Sequence, residues 1–307
     1  MVPSKQQELR KLTQTLFFIL FCVAPIFNFF RFDLDEGHFY LLTFQWSIGI
    51  GDDLPIGQLA INLLIYGLIP VISLLATGFF LFYKYGRIYC GWLCPHFSVV
   101  EILNGFLSKA IGKLSIWDGE ALPKIQVDGR IRDQNKKWWL IVFPFAILMA
   151  FLWAVVLIGY VINPYEILYG LIHNTLSFPK QVFIIVATLI LSLEFLFTRH
   201  LFCRFGCAFG IFQSLAWMAN RKGLVINFDK SKASQCKSCD NYCDHACPMR
   251  LKPRGMKRHM FSCTQCTQCL DACETSQKGK PVLSWKPGSE QDKNSVAIPI
   301  NFHKSQK

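Results

Sequence analysis

The chain has 307 residues, of which 52% are hydrophobic and only 17% charged, and it carries a net charge of +12. A soluble domain normally has about 25% charged residues, so a purely water-soluble globule is excluded and lipid contact is expected. Thirteen cysteines would allow a disulfide framework, but their short spacings point to metal ligation in a reducing compartment.

Four apolar runs reach the about 20 residues that a bilayer core requires. They cover residues 12–30, with Pro25 as a kink, then 59–83, 138–162 and 181–197. No cleavable leader is expected, because the first run is too long and lacks a small-residue cleavage site. Tyr83, Tyr85, Trp138 and Trp139 stand at run ends, where interface anchors belong. Lys5, Arg10 and Lys11 precede the first run, nine basic residues separate the second from the third, and Arg199, Arg204, Arg221 and Lys222 follow the fourth. The loops 32–58 and 163–180 hold only Lys180 between them. This asymmetry predicts a multi-pass protein of a bacterial inner membrane, with both termini cytoplasmic.

The two halves resemble each other. Each is a pair of spans followed by a cysteine pair, YGRIYCGWLCPHFSVVEIL and TRHLFCRFGCAFGIFQSL, so Cys90 and Cys94 correspond to Cys203 and Cys207. This predicts two parallel repeats related by an axis along the membrane normal. Residues 97–110 and 209–219 read as interfacial helices. Cysteines at i and i+4 share one helix face, so the four thiols are expected to converge. Iron or copper would suit such a ligand set, and a purely structural role in a glycine-rich turn is the alternative.

From Arg221 the composition turns polar. Eight cysteines then form two sets, Cys236, Cys239, Cys243 and Cys247, followed by Cys263, Cys266, Cys269 and Cys273. Three close thiols plus a fourth at x3 is the spacing of a two-cluster bacterial ferredoxin, in which the fourth cysteine serves the other cluster. Cys236, Cys239, Cys243 and Cys273 are thus expected around one [4Fe–4S] cluster, and Cys263, Cys266, Cys269 and Cys247 around the second. Structural zinc fits two such triplets poorly. The extra residue between Cys239 and Cys243, and Glu274 in place of proline, depart from the pattern without removing a ligand. Residues 249–262 hold five basic and no acidic side chains, read as neutralising anionic clusters or as a docking patch. Residues 276–307 read as an extended tail. The expected architecture is an all-α membrane domain over residues 1–220, a cytoplasmic double-cluster domain over 221–275, and that tail.

Glu194 lies inside the fourth run, and intramembrane carboxylates are functional candidates by default. It would accept a proton from quinol, or simply pair with Arg199. Glu101 and His96 are weaker candidates, His96 being read as an interfacial residue, and Cys22 as an apolar filler.

Four spans, CGWLCP after the second, a C-x3-C after the fourth and a double ferredoxin segment together resemble the membrane polyferredoxins. These include the NapH-type quinol dehydrogenase subunits, the membrane half of NosR-type proteins and the CcoG-type oxidase assembly proteins. The resemblance covers residues 10–275 and implies electron transfer between quinone or quinol and a redox partner protein. Ala208 departs from the proline expected after the second C-x3-C. A preceding flavin domain and a C-terminal immunoglobulin-like domain, found in some of these groups, are not expected. A Cu(II)-reducing assembly factor, with the C-x3-C pairs binding copper, is the alternative function. Neither nucleic-acid binding nor a nicotinamide site is expected.

Overall fold

The computed structural model describes residues 4–34, 37–47, 55–119 and 121–290. It is mostly helical. Helix α1 (Lys5–Val23) opens at Ser4, whose hydroxyl accepts from the Gln7 amide, and it ends just before Pro25. A three-stranded antiparallel meander follows, β1 (Phe30–Asp33), β2 (His38–Leu41) and β3 (Phe44–Trp46), with Phe30 opposite Leu41 and Tyr40 opposite Gln45. Helix α2 (Ile56–Tyr85) contains a π-helical stretch at Leu63–Leu68. The short α3 (Ile88–Trp92) and α4 (Pro95–Ile111) come next, then α5 (Lys136–Gly159), α6 (Pro164–His173), α7 (Phe178–Thr198) and α8 (Ala208–Ala219).

Three helices, α2, α5 and α7, are long and apolar enough to cross a membrane. Among the described residues helix α1 is not one of them by length and composition, although it runs beside α5 from the cysteine-rich domain, where Gln7 meets Cys266, to the far end, where Phe21 meets Tyr160. It starts seven residues before the apolar run, and its first half turns Gln7, Arg10 and Gln14 into the protein interior. Polar side chains buried in protein contacts cannot face lipid. The apolar second half packs on α5, where Phe21 lies against Trp153 and its carbonyl oxygen accepts from the Tyr160 hydroxyl.

Helices α5 and α7 form the tightest pair. Ala146, Ala150 and Ala154 recur every four residues along α5, and all three are fully buried. Small side chains at that spacing allow helix backbones to approach closely. Helix α2 buries none of its apolar length within the chain. It meets α8 only at its far end, through Phe79 and Phe82 against Phe209 and Phe212.

Beyond α8 the chain forms a small domain. Strand β4 (Leu224–Phe228) pairs antiparallel with β5 (Leu283–Pro287), and between them lie α9 (Tyr242–His245) and α10 (Gln268–Ser276). Val225, Ile226, Met260, Val282 and Leu283 pack with Trp217 and with Cys243, Cys269 and Cys273 as one core. Two expectations are corrected here. The five strands make the fold mostly helical rather than all-α. Residues 283–287 are a core strand rather than a tail, because Val282 and Leu283 supply apolar surface that the cysteine-rich loops lack. Residues 291–307 lie outside the described residues.

Candidate iron-sulfur site

The eight cysteines of the small domain line two separate pockets. One is bounded by Cys236, Cys239, Cys243 and Cys273 with Phe228, Arg254, Val282 and Leu283. The other is bounded by Cys247, Cys263, Cys266 and Cys269 with Ile226, Met249, Leu251 and Met260. Each pocket therefore draws three cysteines from one motif and the fourth from the other. Left-handed residues between the cysteines make this possible: Asn241 (φ 53°) before Cys243, Gln265 (φ 54°) before Cys266 and Thr267 (φ 63°) after it. Such φ values cost energy for non-glycine residues and persist where the surroundings impose them. Four soft thiols around an apolar-walled pocket fit a [4Fe–4S] cluster. Burial pushes the thiols of Cys247 and Cys263 up to about 12, so loading metal there must displace protons.

The C-x3-C pairs do not ride on one helix face. Cys90 sits in α3 and Cys94 caps α4; Cys203 sits in a π-helical turn, Phe202–Gly206, and Cys207 caps α8. Pro95 takes the first position of α4, where a missing N–H costs nothing. Ala208 fills the same position of α8, so the lost proline does not break the cap. Cys94 and Cys203 nevertheless come together, packing with Phe97, Met249 and Leu251 against Cys247 and Cys263 of the second pocket. The Cys90 thiol donates to the side-chain Oε1 of Gln213 at 3.2 Å. Among the described residues, no group of three or more His, Cys, Asp or Glu side chains is placed to hold a single metal ion. The same holds of the eight cysteines of the small domain, so a centre on Cys90, Cys94, Cys203 and Cys207 is left as a proposal.

The first C-x3-C turn is docked on the second pocket. A Cβ at Gly91 would stand 2.2 Å from the Thr264 carbonyl oxygen, so only glycine permits the approach. The Trp92 indole N–H donates to the Gln265 carbonyl oxygen at 3.1 Å. Helix α1 locks the joint. Gln7 donates to the Cys266 carbonyl oxygen and to Thr267 Oγ1, and Arg10 donates to the Gly91 carbonyl oxygen at 2.8 Å while pairing with Glu101. Gln14 reaches the same Gly91 oxygen, and Gln268 bonds Glu101 from the cluster side. Sequence reasoning counted Arg10 among the basic residues before the first run, placed Gln14 inside that run and did not single out Gln7. Their recurrence on one helix face, leading into the apolar run, was the available signal.

Glu194 pairs with His96 rather than Arg199. The His96 Nε2 to Glu194 Oε2 distance is 2.8 Å, and His96 Nδ1 lies 3.5 Å from the Cys203 sulfur. The His96 ring stacks on Phe195 and contacts Phe202 and Trp153, which corrects its reading as an interfacial residue. Arg199 instead donates to the carbonyl oxygens of Phe195 and Leu196, capping the π-helical end of α7. Glu194 Oε1 is buried without a hydrogen-bond partner. The basic segment 249–262 is largely spoken for: Arg250 pairs with Asp118, Arg254 with Asp244, and Lys257 donates to the Trp217 and Asn220 carbonyl oxygens. That leaves little of the segment free as a docking patch and pairs Arg250 and Arg254 with carboxylates rather than with the clusters.

Fold and site together have the features of an iron–sulfur electron-transfer protein with apolar, membrane-type helices. The family described as a 4Fe-4S binding domain matches residues 66–113 and 180–224, the two segments that carry the C-x3-C pairs. An uncharacterized protein of Methanocaldococcus jannaschii is 26% identical over 278 residues, covering 88% of this chain and 93% of its own length. The regulatory protein NosR of Stutzerimonas stutzeri is 24% identical over 230 residues, 70% of this chain but only 27% of NosR. The putative electron transport protein YccM of Escherichia coli is 24% identical over 237 residues, 76% of this chain and 58% of YccM. No solved structure matches.

Proposed function

We propose that this chain relays electrons between the quinone pool and a redox partner protein, from the cytoplasmic face of a bacterial inner membrane. The observation that carries the reading is the pair of four-cysteine pockets with exchanged fourth ligands. Cys236, Cys239, Cys243 and Cys273 would hold one [4Fe–4S] cluster, and Cys247, Cys263, Cys266 and Cys269 the other; each, when bound, supplies a one-electron carrier. The two segments matched by one family support a repeat in the membrane domain. The similarity to YccM supports electron transport in general terms.

The residues around the clusters have separable tasks. Met249, Leu251, Met260 and Ile226 exclude water from the second pocket. Gln7, Arg10 and Gly91 fix that pocket to the membrane domain. Cys94 and Cys203 pack beside it, and with Cys90 and Cys207 they would supply the thiols of a third redox site. Glu194, with Oε1 free and Oε2 held by His96, is the proton acceptor for quinol. A quinol analogue mixed anaerobically with oxidised, iron-loaded protein should bleach both clusters, and Glu194→Gln should slow this about 100-fold while dithionite reduction is unchanged. Clusters that quinol never reduces, yet that Cu(II) reoxidises with copper retained as Cu(I), would instead establish the assembly-factor function.

A further inference from the structure

The relay leaves one buried charge unexplained. Arg10 is paired with Glu101, Arg31 with Asp33 and Arg254 with Asp244, and Arg199 has Glu194 nearby. Arg87 is only 1% exposed, and among the described residues no carboxylate pairs with it. Its Nη2 donates to the Cys203 carbonyl oxygen at 2.7 Å and its Nη1 to Ser214 Oγ at 3.4 Å, while Nε has no partner. Gly210 forms the cradle, since a Cβ there would stand 2.3 Å from Nη2.

An uncompensated guanidinium in the interior costs several kcal/mol, so an anion is required within reach. The candidates at hand are sulfur. Arg87 holds the Cys203 carbonyl oxygen, and Cys203 packs in one cluster with Cys247 and Cys263 of the second pocket. Cys263 is a wall of the second pocket. The first pocket has its own arginine, Arg254, but Asp244 cancels most of that field. Arg10 near Cys266 is likewise offset by Glu101.

We propose that Arg87 is the counter-charge of the cluster held by Cys247, Cys263, Cys266 and Cys269, and that it sets this inner cluster's reduction potential above that of the outer one. The inference rests on the two-cluster reading. Reduction adds one electron, makes or breaks no bond, and leaves the cluster more negative. A nearby unpaired cation stabilises that product. The first electron to enter the protein therefore settles on the inner cluster, beside the membrane domain.

The test is a redox titration of the purified full-length protein, followed by electron paramagnetic resonance, with Cys263→Ser identifying the inner signal. In the native protein the inner cluster should reduce first. Arg87→Met should shift electron exchange between the clusters at least tenfold toward the outer one, 59 mV for one electron, without moving the outer midpoint. Arg87→Lys should keep most of the native separation, and Arg10→Met should change it less than Arg87→Met does. The proposal is overturned if the outer cluster reduces first in the native protein, or if Arg87→Met leaves the inner midpoint in place or moves both midpoints together. Should Arg87→Met fail to assemble, Arg87→Lys and the native order still decide. Absence of iron from native preparations would instead overturn the two-cluster reading itself.

Discussion

The two four-cysteine pockets share one ligand chemistry but sit in different surroundings. The pocket of Cys236 and Cys273 is walled by residues of its own small domain, from Phe228 to Leu283. The pocket of Cys247 and Cys263 is held against the membrane domain by Gln7, Gly91, Trp92 and Phe97. One is a self-contained redox module and the other is a joint. The same motif therefore supports two roles. On the proposed function, the outer pocket would meet the partner and the inner one would exchange electrons with the spanning part of the chain.

The sharpest way to break this comparison is to unpair a buried charge on each side. Glu101→Gln leaves Arg10, which is 0% exposed, without its carboxylate, and should cost about 3–5 kcal/mol. Asp244→Asn leaves Arg254, whose side chain is 18% exposed rather than 0%, and should cost less, about 1 kcal/mol, since water reaches this guanidinium and partly screens the pair. Thermal unfolding in detergent reads both, and equal losses would erase the distinction. Next in size, Gly91→Ala forces a methyl group onto the Thr264 carbonyl oxygen and should cost about 1–3 kcal/mol as overpacking does. On warming, the inner cluster should be lost from this variant before the outer one.

The smallest effect is a pH dependence. With the Cys247 and Cys263 thiols pushed up to about 12 by burial, they are protonated in the metal-free protein at any physiological pH. Loading iron releases those protons, so cluster retention rises with pH and falls as pH is lowered. Chelator-driven iron loss, followed from pH 8 to pH 6, should accelerate. A flat profile would show that the metal-free inner thiols are already ionised.

Legibility in the sequence followed the range of each interaction. Ligand spacing is local, so the two cysteine sets and both C-x3-C pairs could be read directly, and the structure gathers the eight ferredoxin cysteines around two pockets. Span length is local too, and three of the four apolar runs form helices able to cross a membrane. The polar face of helix α1 was not read because Gln7, Arg10 and Gln14 bury against Cys266, Gly91 and Glu101, partners more than 75 positions away. His96 was underrated for the same reason, since Glu194 and Phe195 reach it from the other half of the membrane domain. Strand β5 was missed because its partner, β4, lies beyond the whole cysteine-rich segment.

The exchange of ligands between the two motifs is the central claim, and a reciprocal lesion tests it most directly. Cys247→Ser and Cys273→Ser are each reconstituted anaerobically, and their cluster signals are assigned against Cys236→Ser and Cys263→Ser. Cys247→Ser should damage the cluster that Cys263→Ser destroys, and Cys273→Ser the cluster that Cys236→Ser destroys. The opposite pairing, with each motif losing its own cluster, would contradict the account.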